Sequence, residues 1–255
     1  MNAEIRNFQY DESFNPLKDY VCKGYDEAIN DKSQIRVTYK KFLKWFNNQN
    51  YSELSKKDLD ANRLFKITGI TFNVYGDKDD TEKLIPFDMV PRIISSVEWE
   101  KVEKGVSQRI RAINSFLNDI YHNQEIIKAK ILPLELIYKN PAYLFQMVGF
   151  RPPNNIYNHI SGIDLIKTKA SEFYVLEDNV RVPSGISYMM KNRDIMINLF
   201  PELFAELPIR NSKLYPRNLS KFLKKSSPNS NIKSPVVAVL TPGVNNSAYF
   251  EHSYL

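Results

Sequence analysis

The stretch FYVLEDNVRVPSG, Phe173 to Gly185, decides how this sequence is interpreted. It begins with aromatic, β-branched and aliphatic residues, a composition typical of a β-strand. The strand ends in Glu177, Asp178 and Asn179, and Arg181 follows two residues later. Burying such groups without partners costs several kcal/mol each. Either the protein itself or a ligand must therefore pair with them.

A second apolar run, IYNHISGIDLIKT, precedes this strand, and a short polar turn at 167–171 separates the two. This spacing predicts a β-hairpin. Glu177 and Asn179 are two residues apart, so they share one face of their strand. With the turn near 168–171, Asp164 on the first strand falls roughly opposite them. The sequence therefore predicts two carboxylates and one amide on one face.

These side chains suggest a site for a metal ion and a phosphate. Carboxylate and amide oxygens are ligands that Mg²⁺ prefers. Arg181 would emerge beside the same face, and a guanidinium suits a phosphate. Ser184 and Gly185 offer a hydroxyl and backbone N–H groups at a turn before a predicted helix, which favours anion binding. The plainer interpretation is a solvated hairpin end in which Arg181 pairs with Asp178 or Glu177.

Other polar residues allow similar alternatives. Asp178 points to the opposite face of its strand, which favours a structural or surface acid over a ligand. Arg151, in GFRPP, is interpreted equally well as a phosphate or substrate contact and as half of a structural ion pair, and Arg92 is a comparable case. His159 is predicted to lie on the first strand, on the face opposite Asp164, which favours a structural histidine.

Helical patterns account for much of the remaining chain. Helices are predicted over 36–48, from SELSKKDLDANRLFK to about residue 66, in short pieces over 122–147, and around SYMMKNRDIMINLF as far as Pro201. The clearest helix starts after Ser95 and has Glu98 early in it. Apolar residues recur along it in steps of three and four, which predicts one packed face. They are Trp99, Val102, Val106, Ile110, Ile113, Phe116, Leu117 and Ile120.

Strand patterns occur in two further places. GITFNVYGD, Gly69 to Asp77, predicts a strand, and the prolines of LIPFDMVPRII predict irregular chain after it. SSPNSNIKSP, 226–235, is typical of a linker. Val236 to Leu240 is a continuous apolar run that predicts a buried strand, followed by a Pro-Gly turn and a helix start. Asn246 or Ser247 could cap that helix, and an anion site there is an equal alternative.

Composition limits the class of protein. The chain has 255 residues, of which 43% are hydrophobic and 13% aromatic, and this indicates a globular protein. No apolar run approaches a membrane span, the N-terminus lacks a signal pattern, and Cys22 is alone, so we expect a cytoplasmic protein without membrane partners. His122 and His252 lack supporting catalytic groups. The net charge of +6 comes with lysines on predicted amphipathic helices, so we expect no nucleic-acid partner.

The hairpin resembles a known metal site. An Asp, a Glu thirteen residues later and an Asn two beyond resemble the magnesium-binding segment of ATP-grasp enzymes such as D-alanine–D-alanine ligases. In the carbamoyl-phosphate synthetase family a Glu-x-Asn-x-Arg run also occurs. The resemblance implies that Asp164, Glu177 and Asn179 hold Mg²⁺ and that Arg181 contacts a phosphate of ATP. Gly162 departs from the pattern, because some ATP-grasp enzymes have an arginine there, so Arg181 or Arg151 would supply the phosphate contacts.

The position of this segment is similar to that in circularly permuted (type 2) ATP-grasp proteins, some of which are labelled glutathionylspermidine synthase-like. The similarity extends through GITFNVYGD, TEKLIPFDMVPRII, MVGFRPPNNIYNHISGIDLI, YVLEDNVRVPSGISYMMKNR, FPELF and LTPGVNNSAYFEHSYL. It implies an α+β fold with an ATP-grasp-type antiparallel sheet and packed helices over 1–225. A linker at 226–235 and the start of an α/β domain at 236–255 would follow. We therefore expect the front portion of a longer protein.

The resemblance implies an ATP-dependent ligase. Such an enzyme joins a carboxylate to an amine or thiol through an acyl phosphate, with ATP and Mg²⁺ as cofactors. The substrates would be small molecules or peptides, whose identity and the oligomeric state the sequence leaves open. The alternative is a catalytically inactive ATP-grasp-like module that binds a nucleotide or protein, or a truncated gene product. A basic nucleic-acid binder has little support in the sequence.

Overall fold

A computed structural model of the chain describes residues 20, 21, 24–72, 83, 84, 86–169, 172–229, 231–246 and 248–255. These residues form helices and small antiparallel sheets, an α+β mixture as predicted. They divide into two compact units. The first contains the described residues up to Ile94 together with Lys191–Ile209, and the second contains Ser95–Met190 and Arg210–Leu255.

Some predictions lie outside the described residues. They concern Cys22, the part of the predicted strand Gly69–Asp77 beyond Phe72, Ser171 in the hairpin turn, and Ser247 as a helix cap.

The first unit confirms the predicted helices near its start. Asn50 caps the longer one, because its side chain accepts a hydrogen bond from the Ser52 backbone N–H at 2.9 Å. The elements are α1 (Lys40–Phe46), which follows a 3₁₀ turn at Val37–Tyr39, α2 (Tyr51–Ile67), and the paired strands β1 (Thr71–Phe72) and β2 (Lys83–Leu84). Residues 86–95 have no helix or strand, as the prolines predicted.

The core of this unit combines chain segments far apart in sequence. Aromatic and aliphatic residues of the first helices pack against side chains from residues 196–203. The buried members are Tyr39, Phe42, Leu43, Leu54, Met196, Phe200 and Leu203.

The second unit begins with the long predicted helix, α3 (Ser96–Ile120). Ser95 and Glu98 form a capping box, in which the Ser95 hydroxyl accepts from the Glu98 N–H and the Glu98 carboxylate accepts from the Ser95 N–H. Val102 and Ile120 are buried, but Trp99 is 40% exposed, so the buried stripe is narrower than the sequence predicted.

Short helices follow, as predicted for 122–147. They are α4 (Glu125–Lys128), α5 (Leu134–Tyr138), and 3₁₀ turns at Phe145–Met147 and Pro153–Asn155. A second core cluster forms around them, with Ile120, Tyr121, Ile137 and Tyr143 buried.

The predicted hairpin is present. It consists of β3 (Gly162–Lys169) and β4 (Glu172–Asn179), paired antiparallel. The predicted strand position of His159 was wrong, because β3 begins only at Gly162 and His159 lies in the irregular segment before it. Its ring instead contacts Phe222, with ring centroids 5.7 Å apart.

Helices complete the described chain, and one predicted strand is absent from it. The helices are α6 (Ile186–Leu199), α7 (Pro201–Glu206), α8 (Tyr215–Lys225) and α9 (Tyr249–Tyr254). The strand predicted at Val236 to Leu240 was wrong. No strand of the described chain pairs with this segment, and Val236 and Leu240 are 95% and 92% exposed.

The division of the chain into domains at the linker 226–235 remains a prediction. Within the described residues, no helix combines the length and apolar character needed to cross a membrane.

Candidate functional site

The register of the hairpin determines where the predicted metal ligands lie. Asp164 pairs directly with Glu177, and Gly162 pairs with Asn179. The Asn179 Nδ2 group donates a hydrogen bond of 2.9 Å to the Glu177 Oε1 atom, so these two side chains are on the same face. The structure therefore confirms that Asp164, Glu177 and Asn179 share one face; that they bind a metal remains a prediction.

The carboxylates on this face lack cationic partners. Asp164, Glu177 and Asn179 are all exposed, and neither carboxylate forms an ion pair with a described residue. Two like charges directly opposite each other destabilise an antiparallel pair. A divalent cation would remove that repulsion, and two carboxylates with one amide oxygen are a donor set that suits Mg²⁺. The described residues contain no cluster of three His, Cys, Asp or Glu side chains, so the amide is an essential part of this set.

A β-bulge lies beside these residues. Asp164 pairs with Glu177 but Leu165 pairs with Val175, so Leu176 has no partner on β3. A bulge bends the strand and changes the direction of the neighbouring side chains. Glu177 therefore lies where the bulge changes the direction of β4.

The opposite face of the hairpin contacts α3. The Arg109 Nε atom lies 2.6 Å from the Asp178 Oδ1 atom, and the Nη2 atom lies 2.5 Å from Oδ2, a bidentate ion pair. The hydrogen bond from Arg109 lowers the pKa of Asp178 below its ordinary value. The structure confirms the prediction that Asp178 is a structural acid, and its partner is Arg109 rather than Arg181.

A second ion pair joins α3 to the hairpin near the turn. The Lys167 Nζ atom lies 2.9 Å from the Glu98 Oε1 atom, and the two side chains are only 5% and 12% exposed. Burial acts to raise the pKa of Glu98, but hydrogen bonds from Lys167 and Ser95 outweigh it, so this pKa lies below its ordinary value. Glu98 thus caps α3 and anchors β3.

Arg181 is exposed beside the end of β4. It forms no ion pair or hydrogen bond with a described residue, so the predicted alternative of a pair with Asp178 or Glu177 was wrong. It lines a small cleft together with Tyr157, His159 and neighbouring residues. A contact from Arg181 to phosphate remains a prediction.

The other two arginines have different surroundings. Arg151 is exposed and has no ion pair with any residue that the structure describes; its charge acts to lower the pKa of Tyr157, although burial keeps that pKa raised. Arg92, in the first unit, forms an ion pair with Glu27, and this hydrogen bond raises the pKa of Arg92. The structural interpretation therefore applies to Arg92, whereas a phosphate or substrate role for Arg151 is untested.

The anion site predicted at Ser184 and Gly185 already binds a carboxylate of the chain itself. Glu251 of α9 is only 4% exposed, and its carboxylate accepts hydrogen bonds from the backbone N–H groups of Gly185, at 2.8 and 3.1 Å, and Ser187, at 3.1 Å. A carboxylate is favourable at the N-terminus of a helix such as α6. A phosphate at Gly185 would have to displace Glu251, and the cofactor roles predicted for Ser184 and Gly185 stay predictions.

None of the three histidines, all of which the structure describes, forms a hydrogen bond with Asp164, Glu177 or Asn179, the residues of the candidate metal face. His122 bonds through Nδ1 to the Asn118 carbonyl at 2.8 Å, and the Nδ1 atom of His252 lies 2.9 Å from the Thr241 hydroxyl. That neither is catalytic remains a prediction.

Two amide side chains that position the site, one buried and one partly buried, were not predicted from the sequence. The Asn114 Oδ1 atom accepts from the N–H groups of Tyr157 and Asn158, at 2.8 and 2.9 Å, which joins α3 to the segment before β3. The Asn158 side chain in turn donates to the carbonyls of Ile160 and Val180. The end of the hairpin opposite the turn, where β3 begins and β4 ends, is thereby joined to α3.

Comparison with known proteins identifies the class to which this arrangement belongs. Residues 91–255 match the family model described as a circularly permuted ATPgrasp. The chain belongs to the circularly permuted ATP-grasp family, as the resemblance of the hairpin segment implied.

Similar proteins include an uncharacterized protein of Synechocystis sp., which is 42% identical over 231 residues, 91% of this chain and 48% of that protein. An uncharacterized protein of Mycobacterium tuberculosis is 40% identical over 237 residues, 93% of this chain and 42% of that protein. A protein of Frankia casuarinae, provisionally named a glutamate–cysteine ligase, is 34% identical over 241 residues, 94% of this chain and 27% of that protein. This chain spans half or less of the length of each of these relatives.

Proposed function

We propose that this chain carries the magnesium–ATP site of a ligase that joins a carboxylate to an amine or thiol. The observation that carries the proposal is the register of the hairpin. It sets Asp164 opposite Glu177, with Asn179 on the same open face, while Asp178 turns away to Arg109. Within a single hairpin, one acid has a cationic partner and two acids have none among the described residues, which favours a cation at the open face.

Asp164, Glu177 and the Asn179 amide oxygen would hold Mg²⁺, and Arg181 would contact a phosphate. The Asn179 amide N–H is already bonded to Glu177, so its oxygen is the atom left for a cation. When bound, Mg²⁺ supplies positive charge that offsets the charge on the phosphate oxygens. The Arg181 guanidinium adds donors that fit two phosphate oxygens.

The proposed chemistry has two steps. A carboxylate oxygen of the substrate attacks the γ-phosphorus of ATP, the bond to the β-phosphate oxygen breaks, and ADP leaves behind an acyl phosphate. An amine nitrogen or thiol sulfur then attacks the acyl carbon, phosphate leaves, and the nucleophile loses its proton. Positioning and charge stabilisation account for most of such catalysis. This agrees with the lack of histidine contacts to the site.

The relatives support a ligase in a general way. Membership of the circularly permuted ATP-grasp family favours ATP as the phosphoryl donor. The provisional name of the Frankia casuarinae relative, glutamate–cysteine ligase, is also that of a ligase. We propose the same reaction class for the whole protein to which these residues belong, and the substrates themselves are open.

Thermal unfolding with and without Mg²⁺–ATP tests the proposal. A ligand at a hundredfold excess over its Kd stabilises the native state by about 2.7 kcal/mol. We expect Mg²⁺–ATP to raise the Tm of the wild type and to have no effect on Glu177→Ala or Asn179→Ala. ATP with excess chelator should also have little effect.

Glu172→Ala is the matched control, because Glu172 is a carboxylate at the turn end of the same strand, where it pairs with Lys169 and not with Asp164. This variant should keep the full shift. A wild type that does not respond to Mg²⁺–ATP would contradict the proposal and favour the alternative of an inactive ATP-grasp-like module. A shift that Glu177→Ala retains would place the nucleotide elsewhere.

A further inference from the structure

A cleft in the second unit opens between α3 and the segment that leads into β3. Its volume is about 660 Å³, which is within the range of roughly 300–1,000 Å³ of small-molecule sites. Residues 154–159 form one wall, α3 forms another, and Phe222 of α8 contributes an aromatic surface.

The floor of this cleft is built from paired groups. Asn114 accepts hydrogen bonds from two backbone N–H groups of the opposite wall and donates to the Ile110 and Asn158 carbonyls, at 3.1 and 3.3 Å. Asn158 is 8% exposed and bonds to carbonyls on both sides of the hairpin. The shape of the cleft is therefore fixed before any ligand arrives.

The cleft continues toward Arg181. A second, smaller cleft shares Asn158 and His159 with it and is also lined by Val180 and Arg181. We refer to the two clefts together as the α3 groove. Arg181, the residue proposed to contact a phosphate, lines this end of the α3 groove.

The charged groups that line the α3 groove are all basic. Arg111 lines one part and Arg181 lines the other, with His159 between them, and no carboxylate lines either cleft. Arg111 is exposed and forms no ion pair or hydrogen bond with a described residue. By contrast Arg109, two residues earlier, forms a bidentate ion pair with Asp178.

The larger cleft of the α3 groove has an apolar surface. Phe222 and His159 pack with ring centroids 5.7 Å apart, and Ile110 and Ile156 line the same cleft. A ligand that complements this surface has an anionic group at each end and a hydrocarbon part between them.

On the basis of the proposed function, we infer that the α3 groove binds the acid that the ligase activates, and that this acid is a short dicarboxylate. Arg111 holds the carboxylate that does not react. The other carboxylate lies at the Arg181 end, where the phosphoryl group of ATP is transferred.

NMR of the histidine side chains, with glutarate as the probe and without ATP, tests this inference. The chain has only His122, His159 and His252, so the signals are few and each is assignable by substitution. We expect glutarate to shift the His159 signals saturably and to leave the other two in place. Butyrate, which has a single carboxylate, should bind about tenfold more weakly, because one charge-assisted contact is lost.

Arg111→Gln should weaken glutarate about tenfold for the same reason. The matched control is Lys104→Gln, which removes one positive charge from the same helix but does not line either cleft. It should leave the glutarate affinity unchanged.

The inference is overturned if glutarate does not shift His159 saturably, if it moves all three histidines equally, or if Arg111→Gln binds it as the wild type does. The result is separable from the proposed function. Glutarate binding with no Mg²⁺–ATP response would support the acid site and contradict the nucleotide site, and the converse would reject the acid site alone.

Discussion

The two faces of the β3–β4 hairpin carry similar charged residues in opposite circumstances. On the face toward α3, Asp178 is held by Arg109 and Lys167 is held by Glu98. On the open face, Asp164 and Glu177 stand opposite each other without a cation among the described residues. The charges that join the hairpin to α3 have ion-pair partners, whereas the two carboxylates proposed to bind a metal have none. The comparison separates structural acids from candidate site residues more sharply than residue type can.

The largest expected effect is on stability and concerns the hairpin face that contacts α3, which we call the α3 face. Lys167→Met leaves the buried Glu98 carboxylate without its ammonium partner, although Ser95 still bonds to it. We expect a loss of about 2–3 kcal/mol in the free energy of unfolding, measured by urea denaturation. Lys169→Met is the matched control on the same strand, because its pair with Glu172 is exposed and 4.0 Å long, and it should cost about 0.5 kcal/mol or less. Equal costs would mean that burial does not distinguish the two lysines.

The next effect connects the two faces. Arg109 contacts only the α3 face, but Asp178 lies between Glu177 and Asn179 on β4. We expect Arg109→Met to weaken Mn²⁺ binding about tenfold, as loss of a group that orients metal ligands does, with Arg109→Lys in between. Mn²⁺ titration followed by electron paramagnetic resonance measures this affinity.

Glu103→Gln is the control for this experiment, because it breaks the exposed pair with Arg210 elsewhere on α3. It should not change Mn²⁺ affinity. If Arg109→Met binds Mn²⁺ as tightly as the wild type, the two faces are independent and Arg109 serves the fold alone.

A smaller effect concerns the stability of the fold at low pH. The folded-state pKa of Glu98 is lowered from its ordinary value of 4.5. Its contribution to stability is therefore present above about pH 4.5 and is lost as the pH falls through the lowered folded-state value. Glu98→Gln should be less stable than the wild type at neutral pH and should lose less stability on acidification. Urea denaturation across this pH range measures the difference, and parallel curves for the two proteins would contradict it.

The smallest effect is expected on the open face. Asp164→Asn and Glu177→Gln remove one of two like charges from exposed positions. We expect the free energy of unfolding without metal to change by about 0.5 kcal/mol or less. The expected direction is a gain, because repulsion between like charges is removed. A loss above about 1 kcal/mol would show that these carboxylates stabilise the fold and would weaken the case for a ligand site.

Much of the candidate site was predictable because its pattern is local. Alternation along β4 assigns Glu177 and Asn179 to one face and Asp178 to the other without knowledge of any neighbour. The capping box of Ser95 and Glu98 is likewise a relation between residues three apart. The strand predicted at Val236 to Leu240 failed for the opposite reason. An apolar run becomes a strand only when another strand pairs with it, and none of the described residues does so.

Several partners could not be predicted, because they come from distant parts of the chain. The contact of Glu251 with the N-terminus of α6 joins residues 66 apart, and the pair of Arg109 with Asp178 joins residues 69 apart. A sequence shows that a helix N-terminus favours an anion, but not which carboxylate reaches it.

Residues close together along the chain were enough to predict most helices, the hairpin with its two faces, and the family that its motif resembles. The folded structure determines which charges have partners. It paired Asp178 and Lys167 with α3, filled the predicted cradle at Gly185 with Glu251, and left Asp164, Glu177, Arg111 and Arg181 open. The physical reason is that the cost of a charge depends on its burial and on its partner in space, and folding sets both.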